Sequence, residues 1–376
     1  MLQSLHYDLA VMLCTFMDQQ SRLAFALTCR WLKGVIIPEC LVRSLRLQTA
    51  RKAAHFCRLI LVPNSRVGEN VQLLNIDFHR TASASVTQLI ANALIRMPNL
   101  RHLDLPFPFY GSDHRILREI SNLPRLHHLF LGIRDETCIE QLENLRAMES
   151  LHFTPTQNLI LHPDGVIMNM NLRSTLGDLF LRSRESLSKL TLCMPILERP
   201  IPKKAPHDSR DDALEDIWPA VRFLNLRSFP QDRFDHMDLS RMFPAALHFI
   251  APLYHWSSSR ASQFMLRLIS LEADWVDLQV AVEAGAPLRR AVAATNWVLS
   301  IGLWFLPSTL EYLSLAMEGK DLSDFIASAH HATVPNLKAL AITIHLRKKR
   351  RHDHARLTVS ALPIQNLKRP YIYTLL

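Results

Sequence analysis

The sequence predicts an α/β chain in which a helical module at the N-terminus is followed by stacked strand–turn–helix units. Three observations predict it. The first 40 residues place apolar side chains at helical spacing on either side of a short polar break. From Val42 onward a motif of three apolar residues, separated by two residues and then by one, recurs along the chain. Between its copies lie stretches whose apolar residues follow a 3.6-residue period.

The helical module runs from Leu5 to Leu32. Leu9, Leu13 and Phe16 step by four and three, so they share one helical face. Asp18-Gln19-Gln20-Ser21 then interrupts, and either Asp18 or Ser21 suits the N-cap of the next helix. Leu23, Phe25, Leu27, Cys29 and Leu32 resume the apolar pattern. Two short amphipathic helices with a tight polar joint bury little surface alone, so they are expected to form half of an interface.

This stretch resembles the F-box, the helical module that docks onto a Skp-type adaptor. Leu5 stands at the family's opening leucine, Asp8 at its acidic position, and Leu9 and Leu13 at two aliphatic positions. Met17, Leu23, Leu27, Cys29 and Arg30 match the rest of the pattern without a gap. Three positions depart from it: His6 replaces a proline, Thr28 replaces a valine, and Leu32 holds the tryptophan position while Trp31 precedes it. The resemblance covers about a tenth of the chain. It implies a three-helix F-box over residues 1–40, with Leu5, Leu9, Leu13, Leu23, Leu27 and Trp31 facing the adaptor. The module joined to irregular repeats looks like the F-box proteins of fungi.

The repeated motif begins with Val42-Leu45-Leu47, Val71-Leu74-Ile76, Leu100-Leu103-Leu105, Leu126-Leu129-Leu131 and Met148-Leu151-Phe153. These start 29, 29, 26 and 22 residues apart, within the range of leucine-rich repeats, in which L-x-x-L-x-L marks a short strand. Wider spacing follows in Leu187-Leu190-Leu192, Val221-Leu224-Leu226, Leu266-Ile269-Leu271, Leu310-Leu313-Leu315 and Leu337-Leu340-Ile342. The expected fold is therefore an irregular leucine-rich-repeat solenoid over residues 41–346. On each strand the second and third motif positions point inward, and the residue between them faces the other side. Met97-Pro98-Asn99-Leu100, Leu123-Pro124-Arg125-Leu126 and Val334-Pro335-Asn336-Leu337 are matching turns before strands, where proline fixes φ and ends the preceding helix. Helices are expected through Val86, Leu89, Ile90, Ala93, Leu94 and Met97, through Ile116, Leu117 and Ile120, and through Leu322, Phe325, Ile326 and Ala329.

Residues 198–216 break the rhythm with four prolines and charges of both signs, and are expected to form an exposed loop. Residues 347–376 hold the run Arg347-Lys348-Lys349-Arg350-Arg351 and a C-terminal cap. Five adjacent cations suit a nuclear signal or an acidic partner. His352 and His354 beside them make a poor site for a dication, and no metal is expected there.

Composition and the absence of motifs narrow the function classes. Nearly half the residues are hydrophobic (48%), enough for a large core, which argues against a disordered chain. The net charge of +9 is modest over 376 residues. Six scattered cysteines without C-x-x-C spacing read as buried thiols of a reducing compartment. The N-terminus lacks a basic n-region and Asp8 interrupts its apolar part, so a secretory signal is not expected. Residues 291–310 carry no charge, but their polar residues and Pro307 favour a buried helix leading into a strand over a membrane span. No two of the nine glycines are closer than 12 residues, which excludes G-x-G-x-x-G, the P-loop and G-x-S-x-G. No H-E-x-x-H occurs, and the Asp211-Asp212 pair lies in a polar loop that would keep both solvated.

The resemblance implies a non-catalytic substrate receptor of a Skp–cullin–F-box ubiquitin ligase, with no cofactor, cytoplasmic or nuclear. The module would bind the adaptor and, through it, a cullin–RING ligase, while the repeats bind an unidentified target protein. Such a receptor acts by holding a target lysine near a charged conjugating enzyme. Candidate target-facing residues are the outward strand positions His102, Asp104, His128, Phe130, His152 and Ser314. The other classes are a nuclear scaffold or nucleic-acid-associated leucine-rich-repeat protein outside any ligase, resting on the net charge and the basic run, and an enzyme with an unfamiliar site.

Overall fold

A computed structural model describes residues 6–78, 83–105, 115–133, 140–155, 175–192, 217–226, 238–251, 263–296, 306–318, 334–347 and 354–360. Leu5, the expected loop 198–216, the expected helix through Leu322 and Ala329, and Lys348–Arg351 lie outside these residues. The described residues fall into two compact units, one running to Leu187 and one beginning at Ser188. Both are α/β, with strands paired in chain order.

The first unit opens with three helices, α1 (Tyr7–Thr15), α2 (Gln19–Leu27) and α3 (Arg30–Ile36). Asp18 caps α2, its carboxylate accepting from the Ser21 N–H at 2.7 Å. Cys29 caps α3 in the same way, its Sγ accepting from the Leu32 N–H at 3.5 Å. Ala10, Cys14, Ala26, Leu32 and Ile36 form the core of the three, with Phe25, Trp31 and Leu41 packed against it. The chain leaves α3 through a π-helical stretch, Ile37–Val42. Pro38 lacks an N–H, so the ordinary helical ladder cannot run through it.

Five parallel strands follow: β1 (Ser44–Leu47), β2 (Leu73–Ile76), β3 (His102–Leu105), β4 (His128–Ile133) and β5 (Ser150–Pro155). The second motif position aligns across them: Leu45 beside Leu74, then Leu103, Leu129 and Leu151. The third position repeats this with Leu105, Leu131 and Phe153. Apart from the half-buried Leu45, these residues are buried, as the motif requires. Helices α4 (Ala50–Leu61), α5 (Ala84–Leu94) and α6 (Arg115–Ser121) connect the first four strands. They bury Ala53, Cys57 and Ile60, then Ile90, Ala93 and Leu94, then Ile116, Leu117 and Ile120.

One backbone device joins each strand to the next. The Arg43 carbonyl accepts from the N–H groups of both Gln72 and Leu73, and the Gln72 carbonyl from Arg101 and His102. The Arg101 and His127 carbonyls continue the pattern into β4 and β5. Side chains reinforce it at the turns. The Asn99 amide donates to Glu69 O at 2.7 Å, and Arg125 donates to Asn99 Oδ1 at 2.9 Å.

The second unit holds β6 (Lys189–Leu192), β7 (Phe223–Asn225), β8 (His248–Ala251), β9 (Ser270–Ala273), β10 (Arg290–Asn296), β11 (Tyr312–Glu318), β12 (Ala339–Arg347) and β13 (His354–Ser360). β6 to β12 are parallel neighbours, and β13 closes against β12 antiparallel. The two-amide carbonyl recurs at Ser188, Arg222, Leu247, Ile269, Arg289 and Glu311.

Here the structure corrects two expectations. The expected motif Leu266-Ile269-Leu271 is two residues out of phase: the buried triplet is Leu268-Leu271-Ala273, and Leu266 is 48% exposed. Alternate apolar residues in this run allow both phases, and the turn that bonds the Leu268 N–H to Met265 O selects one. The buried helix expected after Ala291 is instead β10 up to Asn296, with Ala291 inward between Leu271 and Leu313 and Ala293 inward beside Ala273. Two further motif copies were hidden by small residues, Ala246-Phe249-Ala251 and Leu288-Ala291-Ala293. With them, copies start at Val221, Ala246, Leu268, Leu288, Leu310 and Leu337, at spacings of 25, 22, 20, 22 and 27 residues.

Candidate functional site

The first unit presents two surfaces that suit binding. One is on the N-terminal helices. With Ala10, Cys14 and Ala26 turned inward, the larger apolar residues of α1 and α2 are left outside. Leu9 is 47% exposed, Leu13 38%, Leu23 46% and Leu27 63%. Phe16 at 82% and Met12 at 50% belong with them and were missing from the expected adaptor-facing set, although Phe16 already shared a helical face with Leu9 and Leu13. Trp31 differs from its expected companions in packing partly against the helical core. Small residues at i and i+4 inside, with large ones outside, invert the usual burial of an amphipathic helix.

The other surface is the outward face of β1 to β5. The parallel register sets Arg46, Asn75, Asp104, Phe130 and His152 in one row, and Ser44, Leu73, His102, His128 and Ser150 in a second. Five of the six expected target-facing residues are thus brought together. Ser314, the sixth, is on β11 of the second unit.

The two rows are chemically mixed. The His102 and His128 rings lie 5.4 Å apart, and His152 meets Phe130 edge-on at 3.8 Å between centroids. The Asn75 amide donates to the Asp104 carboxylate, and Arg46 pairs with Asp77 at 3.3 Å. Burial and the neighbouring Asp77 raise the Asp104 pKa, against a smaller opposing pull from Arg46. Burial lowers the pKa of His152 to about 4, so it is a neutral imidazole at pH 7. In the second unit His248 is also lowered, by burial and by Arg290.

Where the helices meet the start of this face there is a cavity of about 500 Å³. Cys14 and Cys40 line its helical side, and Leu73, His102 and His128 its strand side. Burial and the adjacent Cys14 push the Cys40 thiol up to about 11, so it is protonated at neutral pH. The described cysteines, Cys14, Cys29, Cys40 and Cys57, are all free.

Among the described residues no three His, Cys, Asp or Glu side chains group as metal ligands would, and no helix is long and apolar enough to cross a membrane. Arg347 ends β12, and the rest of the basic run is outside the described residues. No family model and no curated protein matches the chain.

Proposed function

We propose that this chain is a substrate-receptor subunit of a Skp–cullin–F-box ubiquitin ligase, cytoplasmic or nuclear, whose N-terminal helices are an F-box and whose strand–turn–helix units are an irregular leucine-rich-repeat solenoid. The observation that carries the reading is the outward apolar set Leu9, Leu13, Phe16, Leu23 and Leu27. It lies in the stretch that resembles the F-box. Apolar residues concentrated on two adjacent helices are better accounted for by a partner surface than by solvent. Each leucine that passes from half-exposed to buried contributes about 1 kcal/mol. The repeats then carry the target, on the strand face that holds His102, Asp104, His128, Phe130 and His152. Function on this reading is positional: the chain raises the effective concentration of a target lysine near the conjugating enzyme and supplies no reacting group.

The test is capture of a purified Skp-type adaptor by the intact chain and by Phe16→Asp and Leu27→Asp. Both residues are more than half exposed, so the variants keep their helical circular dichroism while the charge desolvates at the contact. Capture by the intact chain and at least a tenfold weaker signal from both variants is expected. No capture by folded intact chain overturns the reading, and a nuclear scaffold outside any ligase, resting on the net charge of +9 and the basic run, becomes the better lead.

A further inference from the structure

The cavity between the helices and the strand face is cationic. Arg22, Arg43 and Arg101 line it with His102 and His128, and Glu39 is the carboxylate among them. Three guanidiniums against one carboxylate leave a surplus of two positive charges before either imidazole is counted. Two of the three are held in place. Arg22 donates from Nε to Cys14 O at 2.7 Å, and Arg43 from Nε to Gln72 Oε1 at 2.9 Å. Both bonds use the inner nitrogen, so the terminal N–H pairs that form the guanidinium fork are not spent on them. A further carboxylate, Glu149, stands 3.6 Å from His128 and is not part of the lining.

We propose that this cavity binds a phosphate group, with Arg22, Arg43 and Arg101 as its charge partners. A single carboxylate would leave one cation uncompensated. A phosphate carries about 1.5 to 2 negative charges at pH 7 and three acceptor oxygens, which match fixed guanidinium forks. A volume of about 500 Å³ also leaves room for the rest of the molecule that bears it. Because the cavity is walled by α1 and the π-helical stretch on one side and by the strands on the other, an occupant touches both. The assignment stands independently of the ligase reading, since it rests on the cavity lining alone.

The experiment is calorimetric titration of the intact chain at low salt with two probes, sodium tripolyphosphate and a phosphoserine peptide beside its unphosphorylated counterpart. Arg43→Ala/Arg101→Ala is compared with Arg51→Ala/Arg58→Ala, which removes two exposed cations of α4 outside the lining. The expected result is binding that weakens at least tenfold in the first pair and less than twofold in the second. Arg43→Lys/Arg101→Lys, which keeps the charge and loses the fork, is expected to fall between them. Binding of tripolyphosphate alone identifies a free polyanion, and phosphate-dependent binding of the peptide identifies a phosphorylated protein. No binding of either probe, or equal weakening in the two alanine pairs, overturns the proposal. So does unaltered binding by the lysine variant if the alanine variant fails to fold.

Discussion

Burial on the strand face keeps His152 neutral down to about pH 4, well below the ordinary histidine range near 6.5. Protonating it in the folded chain therefore costs more than in the unfolded chain. The associated stability is present above about pH 6.5 and is lost as pH falls through about 4. After discounting for its partial exposure the loss is roughly 1–2 kcal/mol. Urea midpoints are expected to drop between pH 7 and pH 5 by more in the natural chain than in His152→Phe, which cannot titrate and keeps an aromatic edge on Phe130. An equal drop in both would place the acid sensitivity elsewhere. Asp104 acts in the opposite sense, since its raised pKa means protonation favours the fold. The outward positions of both residues were legible in the sequence, because alternation along L-x-x-L-x-L assigns them. Their titration was not, because it depends on which residues register places alongside, and Asp77 and Phe130 come from other repeats.

At the scale of elements, close contacts decide which small residues matter. Gly68 lies in the short 3-10 turn Val67–Asn70 before β2, and a Cβ there would come 2.2 Å from the backbone oxygen of Arg96. That oxygen belongs to the backbone just past α5 and cannot swing aside. Gly68→Ala is expected to destabilise by about 2–3 kcal/mol. Gly34, inside α3, has nothing within 4 Å of its added Cβ, so Gly34→Ala is expected to stabilise by about 0.5–1 kcal/mol through helix propensity. Thermal melts of the two variants check both signs. A different constraint governs Gly285, whose φ of +88° follows the helix Trp275–Glu283. Its N–H bonds Val282 O, and the next N–H, of Ala286, bonds Ala281 O, which is a Schellman close.

Elements also show where the sequence stopped being readable. Large apolar triplets announced β1 to β5. The copies at β8 and β10 were missed because alanine fills two of the three inward positions, where Phe249 and the flanking leucines supply the volume. The proline turn was the surviving signal. Phe243-Pro244-Ala245-Ala246 makes the same turn as Met97-Pro98-Asn99-Leu100, with the fourth N–H bonded to the first carbonyl at 3.1 Å in both. On α1 and α2 the spacing of Leu9, Leu13 and Phe16 set which residues share a face but not whether that face is covered, because periodicity gives the angle between residues and not which side has a neighbour.

On the scale of the whole first unit, strands meet the strands beside them in chain order, so cooperativity should be local. Leu129→Ala removes a fully buried side chain from β4 and is expected to cost about 3 kcal/mol. Hydrogen exchange is expected to accelerate most in β3, β4 and β5 and least in β1. Uniform acceleration across the five strands would mean that the unit opens as a single cooperative block.

The carbonyl that accepts two amides from the following strand has a consequence for descent. Each junction has the same chemistry at both ends, whichever side chains surround it. A stretch of 20 to 39 residues, from one motif start to the next, can therefore be duplicated or lost in replication and the flanking strands still find matching donors and acceptors. Lineages of this chain should differ by whole repeats more readily than by single residues inserted within a strand. An insertion of one residue there would turn every outward side chain inward.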